Sequence, residues 1–141
     1  MTTVPTDRPI AETPLRVRYA ETDAMGVVYH TNYIIWFEVG RGELSRSMGA
    51  DYRLWEERGH YLPVTEVTCR YHAPARYGDL VIVSTWVEEV RSRMVTFGYE
   101  VRMQKTGAVL ATGRTIHVSV DRTGQPSQIP AEWRAEMCKR T

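Results

Sequence analysis

Between His30 and Met48 the chain reads as a helix with almost no polar side. Tyr33, Phe37, Leu44 and Met48 fall on one stripe, at steps of four, seven and four, which is the spacing of a single helical face. Ile34, Ile35, Trp36 and Val39 widen that stripe over most of the circumference. So apolar a helix has no solvent side and must be wrapped by other elements. Gly40 and Gly42 each cost a helix interior roughly 1 kcal/mol against alanine, which implies that another backbone comes close there. Gly49 supplies a stop, and Asp51 caps a further helical turn reaching Arg58.

The wrapping elements are strands. Leu15 to Thr22 alternates, with Leu15, Val17 and Tyr19 opposite Arg16 and Arg18, and predicts a first strand. Four more follow the helix. Tyr61, Pro63, Thr65, Val67, Cys69 and Tyr71 line one side of the second, and Leu80 to Val90 is the third. In the fourth, Val95, Phe97, Tyr99, Val101 and Met103 alternate with Thr96, Gly98, Glu100, Arg102 and Gln104. The short turn Lys105-Thr106-Gly107 makes the fifth strand, Ala108 to Val120, its antiparallel neighbour. That strand carries Leu110, Ile116, Val118 and Val120 on one side, and Ala131 to Lys139 reads as a terminal helix. One buried helix and a run of antiparallel strands make an α+β layer fold. A sheet this small leaves much of its other side open, a problem that dimerisation solves.

A chain of 141 residues fits one domain and buries roughly two-thirds of its unfolded surface. Met1 to Pro14, rich in Thr and Pro, reads as a flexible tail rather than a signal peptide, leaving residues 15–141 as the domain. A net charge of +1 gives no field that would gather nucleic acid or an anionic membrane. Two cysteines, Cys69 and Cys138, are too few for a disulfide framework and read as reduced thiols in a cytoplasmic protein. No apolar window is long enough for a membrane span. Cys69 and His72 point to opposite faces of a strand, and His60 and His117 have no partner at ligand spacing, so no metal site is expected. No G-x-S-x-G elbow is present.

The stretch from Arg16 to Tyr33 carries chemistry. A strand runs into a carboxylate, Asp23; a loop containing Gly26 then turns into the helix. The first amides of a helix have no partner within it and sit at the positive end of its dipole. An oxyanion formed there is stabilised. A carboxylate facing such amides is a minimal acyl-transfer site. Taken alone, Asp23 reads first as a turn or cap residue, although it lies too far ahead of the helix for an ordinary N-cap.

The string R-V-x4-T-D-x2-G-V-V-x-H-x2-Y, from Arg16 to Tyr33, resembles the active-site signature of the 4-hydroxybenzoyl-CoA thioesterase family. The resemblance covers residues 15 to 125. Tyr71-His72-Ala73-Pro74-Ala75-Arg76 looks like the branch of that family associated with the Tol–Pal system. The resemblance implies a hotdog fold, the long helix wrapped by an antiparallel sheet of about five strands. It implies that Asp23 is the catalytic carboxylate and that the backbone N–H of His30, not its ring, polarises the thioester carbonyl. Gly26, Val27 and Tyr29 would border the substrate, Tyr29 serving either as pocket wall or as packing. The site would form between two subunits of a homodimer, paired into a homotetramer, and would need no cofactor beyond the CoA of an acyl-CoA substrate. Arg91 and Arg93, flanking Ser92, read either as a solvated turn or as a fork for CoA phosphates.

Another hotdog branch uses a helix glutamate, which makes Glu38 and Glu43 alternatives. Glu38 lies about 12 Å along the helix from His30, too far to share one carbonyl with that amide in the same chain. The expected activity is acyl-CoA hydrolysis with Asp23 as nucleophile or general base. The alternatives are hydrolysis of carrier-protein thioesters and a non-catalytic acyl-CoA-binding module.

Overall fold

A computed structural model describes residues 2–49 and 52–141. Its strands are β1 (Ala11–Arg16), β2 (Val64–Tyr71), β3 (Leu80–Val90), β4 (Met94–Met103) and β5 (Val109–Val118). Its helices are α1 (Thr31–Ser47), α2 (Tyr52–Glu57) and α3 (Ala131–Met137). The strands form one antiparallel sheet in the order β1-β3-β4-β5-β2, and α1 lies across one face of it. The cap expected at Asp51 falls outside the described residues.

The apolar positions of α1 explain its seat. Phe37 stacks on Tyr99 of β4 with ring centroids 4.3 Å apart and planes 10° from parallel. Tyr33, Trp36, Phe37, Gly40 and Leu44 are buried. Gly40 is a point of close approach: a methyl group there would collide with Thr85 Oγ1 and stand 2.9 Å from Val83 Cγ1. The neighbours are therefore two side chains of β3, not a backbone as expected. At Gly42 an added Cβ would meet only the Arg46 guanidinium of its own helix, 3.6 Å away.

Within one chain α1 is not wrapped all round. Ile34, Ile35 and Val39 are 37%, 51% and 39% exposed. The sheet covers one side of the helix, and β2, at the edge beside it, exposes Val64, Val67 and Tyr71 in turn. The apolar circumference read from the sequence is real; the cover on its second side is not supplied by this chain.

Two strand readings change. β1 begins at Ala11 and pairs with β3 from Ala11↔Thr85 to Arg16↔Leu80. Ala11–Pro14 is thus an edge of the sheet rather than part of a flexible tail. Proline lacks the N–H that a central strand would require, but an edge strand tolerates it. Beyond Arg16 the chain leaves the ladder for a short 3-10 turn at Tyr19–Glu21. In β5 a register shift falls at Leu110, between Val109 and Ala111, and Thr115 and His117, each 1% exposed, face the core instead of Ile116 and Val118.

Those inward polar groups are satisfied. Arg41 Nη1 donates to Tyr99 Oη (3.1 Å), which pairs with Thr115 Oγ1 (2.6 Å). Thr115 Oγ1 also meets His117 Nε2 (2.8 Å), and His117 Nδ1 lies 2.9 Å from the Leu62 carbonyl. Burial pushes the His117 imidazole down to about 4, so it is neutral in ordinary buffers. Among the described residues, no helix is long and apolar enough to cross a membrane.

Candidate active site

The loop from Arg18 to His30 is tied to one buried carboxylate. Glu21, 5% exposed, accepts Trp36 Nε1–H through Oε2 (2.8 Å) and the Arg18 N–H through Oε1 (2.8 Å). Its carbonyl accepts the Tyr29 N–H (2.8 Å) and Asn32 Nδ2–H (2.9 Å). The entry of the loop, its exit and the first turn of α1 therefore meet at Glu21. A bridge between Thr22 and Val28 closes the loop, and the Val28 N–H donates to Ala75 O (2.9 Å).

At the tip the chain reverses. The Gly26 N–H donates to Asp23 O, and the Asp23 N–H donates to Val27 O, both at 2.9 Å. Gly26 has φ of +80°, a left-handed conformation that costs other residues roughly 1–2 kcal/mol. Asp23 Oδ1 accepts the N–H of Met25 (2.9 Å) and of Val27 (3.4 Å). The turn reading of Asp23 thus holds for one oxygen; among the described residues no hydrogen bond engages Oδ2.

His30 has helical backbone angles, φ −55° and ψ −32°. The amides of Asn32 and Tyr33 are taken, by Tyr29 O (2.9 Å) and His30 O (3.3 Å), while that of Thr31, like that of His30, meets no acceptor among the described residues. Asp23, Val27, Tyr29, His30, Tyr33 and Tyr71 line one pocket of about 400 Å³, closed by His72, Ala73 and Pro74. Burial pushes the Tyr71 hydroxyl up to about 12, with the neighbouring Cys69 thiol adding to the effect. It stays a proton donor and gives its hydrogen to His30 O at 2.9 Å.

The pocket therefore gathers Asp23, Val27, Tyr29 and His30. Gly26 shapes the turn without lining it. Arg91 and Arg93 are not brought there. They sit on the β3–β4 hairpin, at the opposite end of β3's eleven residues, about 33 Å along the strand. Arg91 pairs instead with Glu89 at 2.7 Å. Glu38 lines a separate cavity with Arg41, Trp55 and His60, and Glu43 pairs with Arg46 at 2.8 Å.

Sequence reasoning missed Glu21, which falls among the unspecified positions of the signature. It also gave Tyr71 no role, although the motif that begins at Tyr71 was the signal available.

The sequence matches the thioesterase-like superfamily over residues 17–137. The chain belongs to that superfamily. This thioesterase is 35% identical over 113 residues to the putative acyl-CoA thioesterase YneP of Bacillus subtilis, covering 80% of this chain and 81% of that one. It is 34% identical over 125 residues to the acyl-CoA thioesterase YbgC of Haemophilus influenzae, covering 86% and 90%. Among solved structures, a DHNA-CoA thioesterase from Staphylococcus aureus superposes with a TM-score of 0.85 at 34% identity, covering 90% and 87%. The thioesterase has the hotdog fold and is an enzyme of the thioester-hydrolase class.

Proposed function

We propose that this thioesterase hydrolyses acyl-CoA thioesters and that Asp23 is its catalytic carboxylate. The observation that carries the reading is the sharing of one pocket by Asp23 and the unengaged His30 N–H. The acyl-CoA thioesterase names of its relatives support the substrate class. A thioester carbonyl is electrophilic and a thiolate leaves readily, so one carboxylate suffices without a serine triad, a metal or an organic cofactor. The carbonyl oxygen rests at the His30 N–H, where developing negative charge is stabilised. Asp23 Oδ2 then acts in one of two ways. It attacks the carbonyl carbon, CoA thiolate leaves, and water cleaves the mixed anhydride. Alternatively it takes a proton from water, and the hydroxide so formed displaces CoA thiolate directly.

Asp23→Asn keeps the shape and removes the base. Turnover should fall by about a thousandfold or more while acyl-CoA still binds. Turnover at the wild-type rate would end the proposal. Single turnover in ¹⁸O-water separates the routes, since water attacking the anhydride at the Asp23 carboxyl carbon leaves label in that side chain and none in the acid, whereas the second route leaves it only in the acid.

The reading includes a homodimer, two of which pair into a tetramer. It is supported by the open edge of β2 and by the exposed band of Ile34, Ile35, Val39 and Val67. In such an assembly Arg91 and Arg93 serve a neighbouring subunit's pocket, not their own. Light scattering of the native protein, and of Val67→Lys, checks this: a monomeric wild type refutes it. A preference for carrier-protein substrates would show as little loss of kcat/KM on replacing acyl-CoA by acyl-pantetheine.

A further inference from the structure

We infer that Tyr71 is a positioning residue of this active site, holding the His30 amide in the direction that catalysis requires. The inference rests on the acyl-CoA reading above and deepens it.

Three observations meet at Tyr71. Its hydroxyl donates to His30 O at 2.9 Å, from a strand forty-one residues away in sequence. Its ring is fixed by edge contacts to Tyr33, centroids 5.3 Å apart, and to His30, 6.1 Å apart. It lines the pocket that holds Asp23. In a helical residue the N–H and the C=O point opposite ways along the axis. A clamp on the carbonyl of His30 fixes the His30–Thr31 peptide plane and, through the helical φ and ψ of His30, constrains the adjoining plane that carries its N–H.

The clamp matters because that residue lies at the very end of the helix. As the N-cap residue it offers its carbonyl to the first bond of α1, and the additional bond from the Tyr33 N–H is long at 3.3 Å. The first residue of a helix is where fraying begins. The strand bearing Tyr71 belongs to the sheet, through the pair Tyr71↔Ala111. Tyr71 thus ties the loose end of the helix to the rigid layer. It also draws charge from the carbonyl, which polarises the hydrogen-bonded turn to which His30 belongs. Phenylalanine at this position keeps the ring contacts and deletes the clamp together with the hydroxyl's contact to the Cys69 thiol, and Cys69→Ala in the Tyr71 background controls for the second.

Tyr71→Phe should lower kcat about tenfold with KM within about twofold of wild type, because the lost effect acts on the transition state. Melting should be nearly unchanged. A second readout avoids turnover. Acyl-CoA labelled with ¹³C at the thioester carbonyl is bound to Asp23→Asn, and its infrared carbonyl band should move to lower wavenumber than in solution. Adding Tyr71→Phe should return the band toward the solution position. A lowered melting temperature with unaltered kcat and band would make Tyr71 merely structural. A raised KM with unaltered kcat would make it a pocket wall. Either result overturns the inference while leaving the acyl-CoA reading intact. A wild-type enzyme inert toward every acyl-CoA would remove both.

Discussion

Glu21 and Asp23 stand two residues apart on the same loop, and their carboxylates have opposite surroundings. Both oxygens of Glu21 are engaged, one by the Trp36 indole and one by the Arg18 amide, and the side chain is buried. Asp23 is half-buried, bonded through Oδ1 to its own loop, and no described residue bonds to Oδ2. The same contrast separates the polar chain of Tyr99, Thr115 and His117, closed on itself inside the core, from the His30 N–H, which meets no described acceptor. Glu21 and the Tyr99–Thr115–His117 chain are saturated, as buried polar groups usually must be. Polar groups available for a reaction keep a valence open at the surface of a pocket.

The sharpest way to break this comparison is to close the open donor. His30→Pro removes the N–H, which no described fold contact uses, at a residue whose φ of −55° proline adopts. We expect kcat to fall roughly a hundredfold to a thousandfold with the fold kept, by circular dichroism. His30→Ala, which keeps the N–H and loses the ring, should change kcat less than threefold. Equal losses in the two variants would make the ring the active group.

The saturated side is tested by acid. An unfolded histidine takes up a proton near 6.5, whereas folded His117 refuses it until about 4. The unfolded state therefore binds more protons across that window, and stability should fall as pH drops from 6.5 to 4, by up to about 3 kcal/mol. Urea midpoints measured against pH show the effect, and His117→Gln should flatten that part of the curve. A mutant curve as steep as the wild type would place the acid sensitivity elsewhere.

Glu21→Ala strands two donors and should cost about 2 kcal/mol in urea unfolding. A loss of activity larger than this destabilisation explains would show that Glu21 also sets the loop for Asp23. The smallest effect is expected at the hairpin. Arg91→Ala with Arg93→Ala should raise KM for acyl-CoA a few-fold and leave acyl-pantetheine unaffected. An equal change for both substrates would confine these arginines to the solvated turn.

The sequence made β3, β4 and the long helix legible, since each has a strong and uninterrupted period. It hid the start of β1, where Thr13 and Pro14 look like loop until β3 is present to pair with them. It also hid the inward face of β5. Thr115 and His117 read as solvent-facing unless their partners Tyr99 and Leu62, distant in sequence, are known. In the site, Asp23, Gly26 and His30 were visible because one short segment carries all three. Glu21 and Tyr71 were not, because each is tied to the loop and helix by a bond to a residue distant in sequence.

Gly40 gives the helix a fulcrum. The missing side chain lets α1 rest directly on Val83 and Thr85 of β3, ten residues from the His30 amide. Alanine there would lever the helix outward and swing its tip, about 15 Å distant, away from Asp23. Displacements of about 1 Å in a reacting pair can slow an enzyme a hundredfold. On the mechanism proposed above, the rate of this thioesterase depends in part on an atom that is not there.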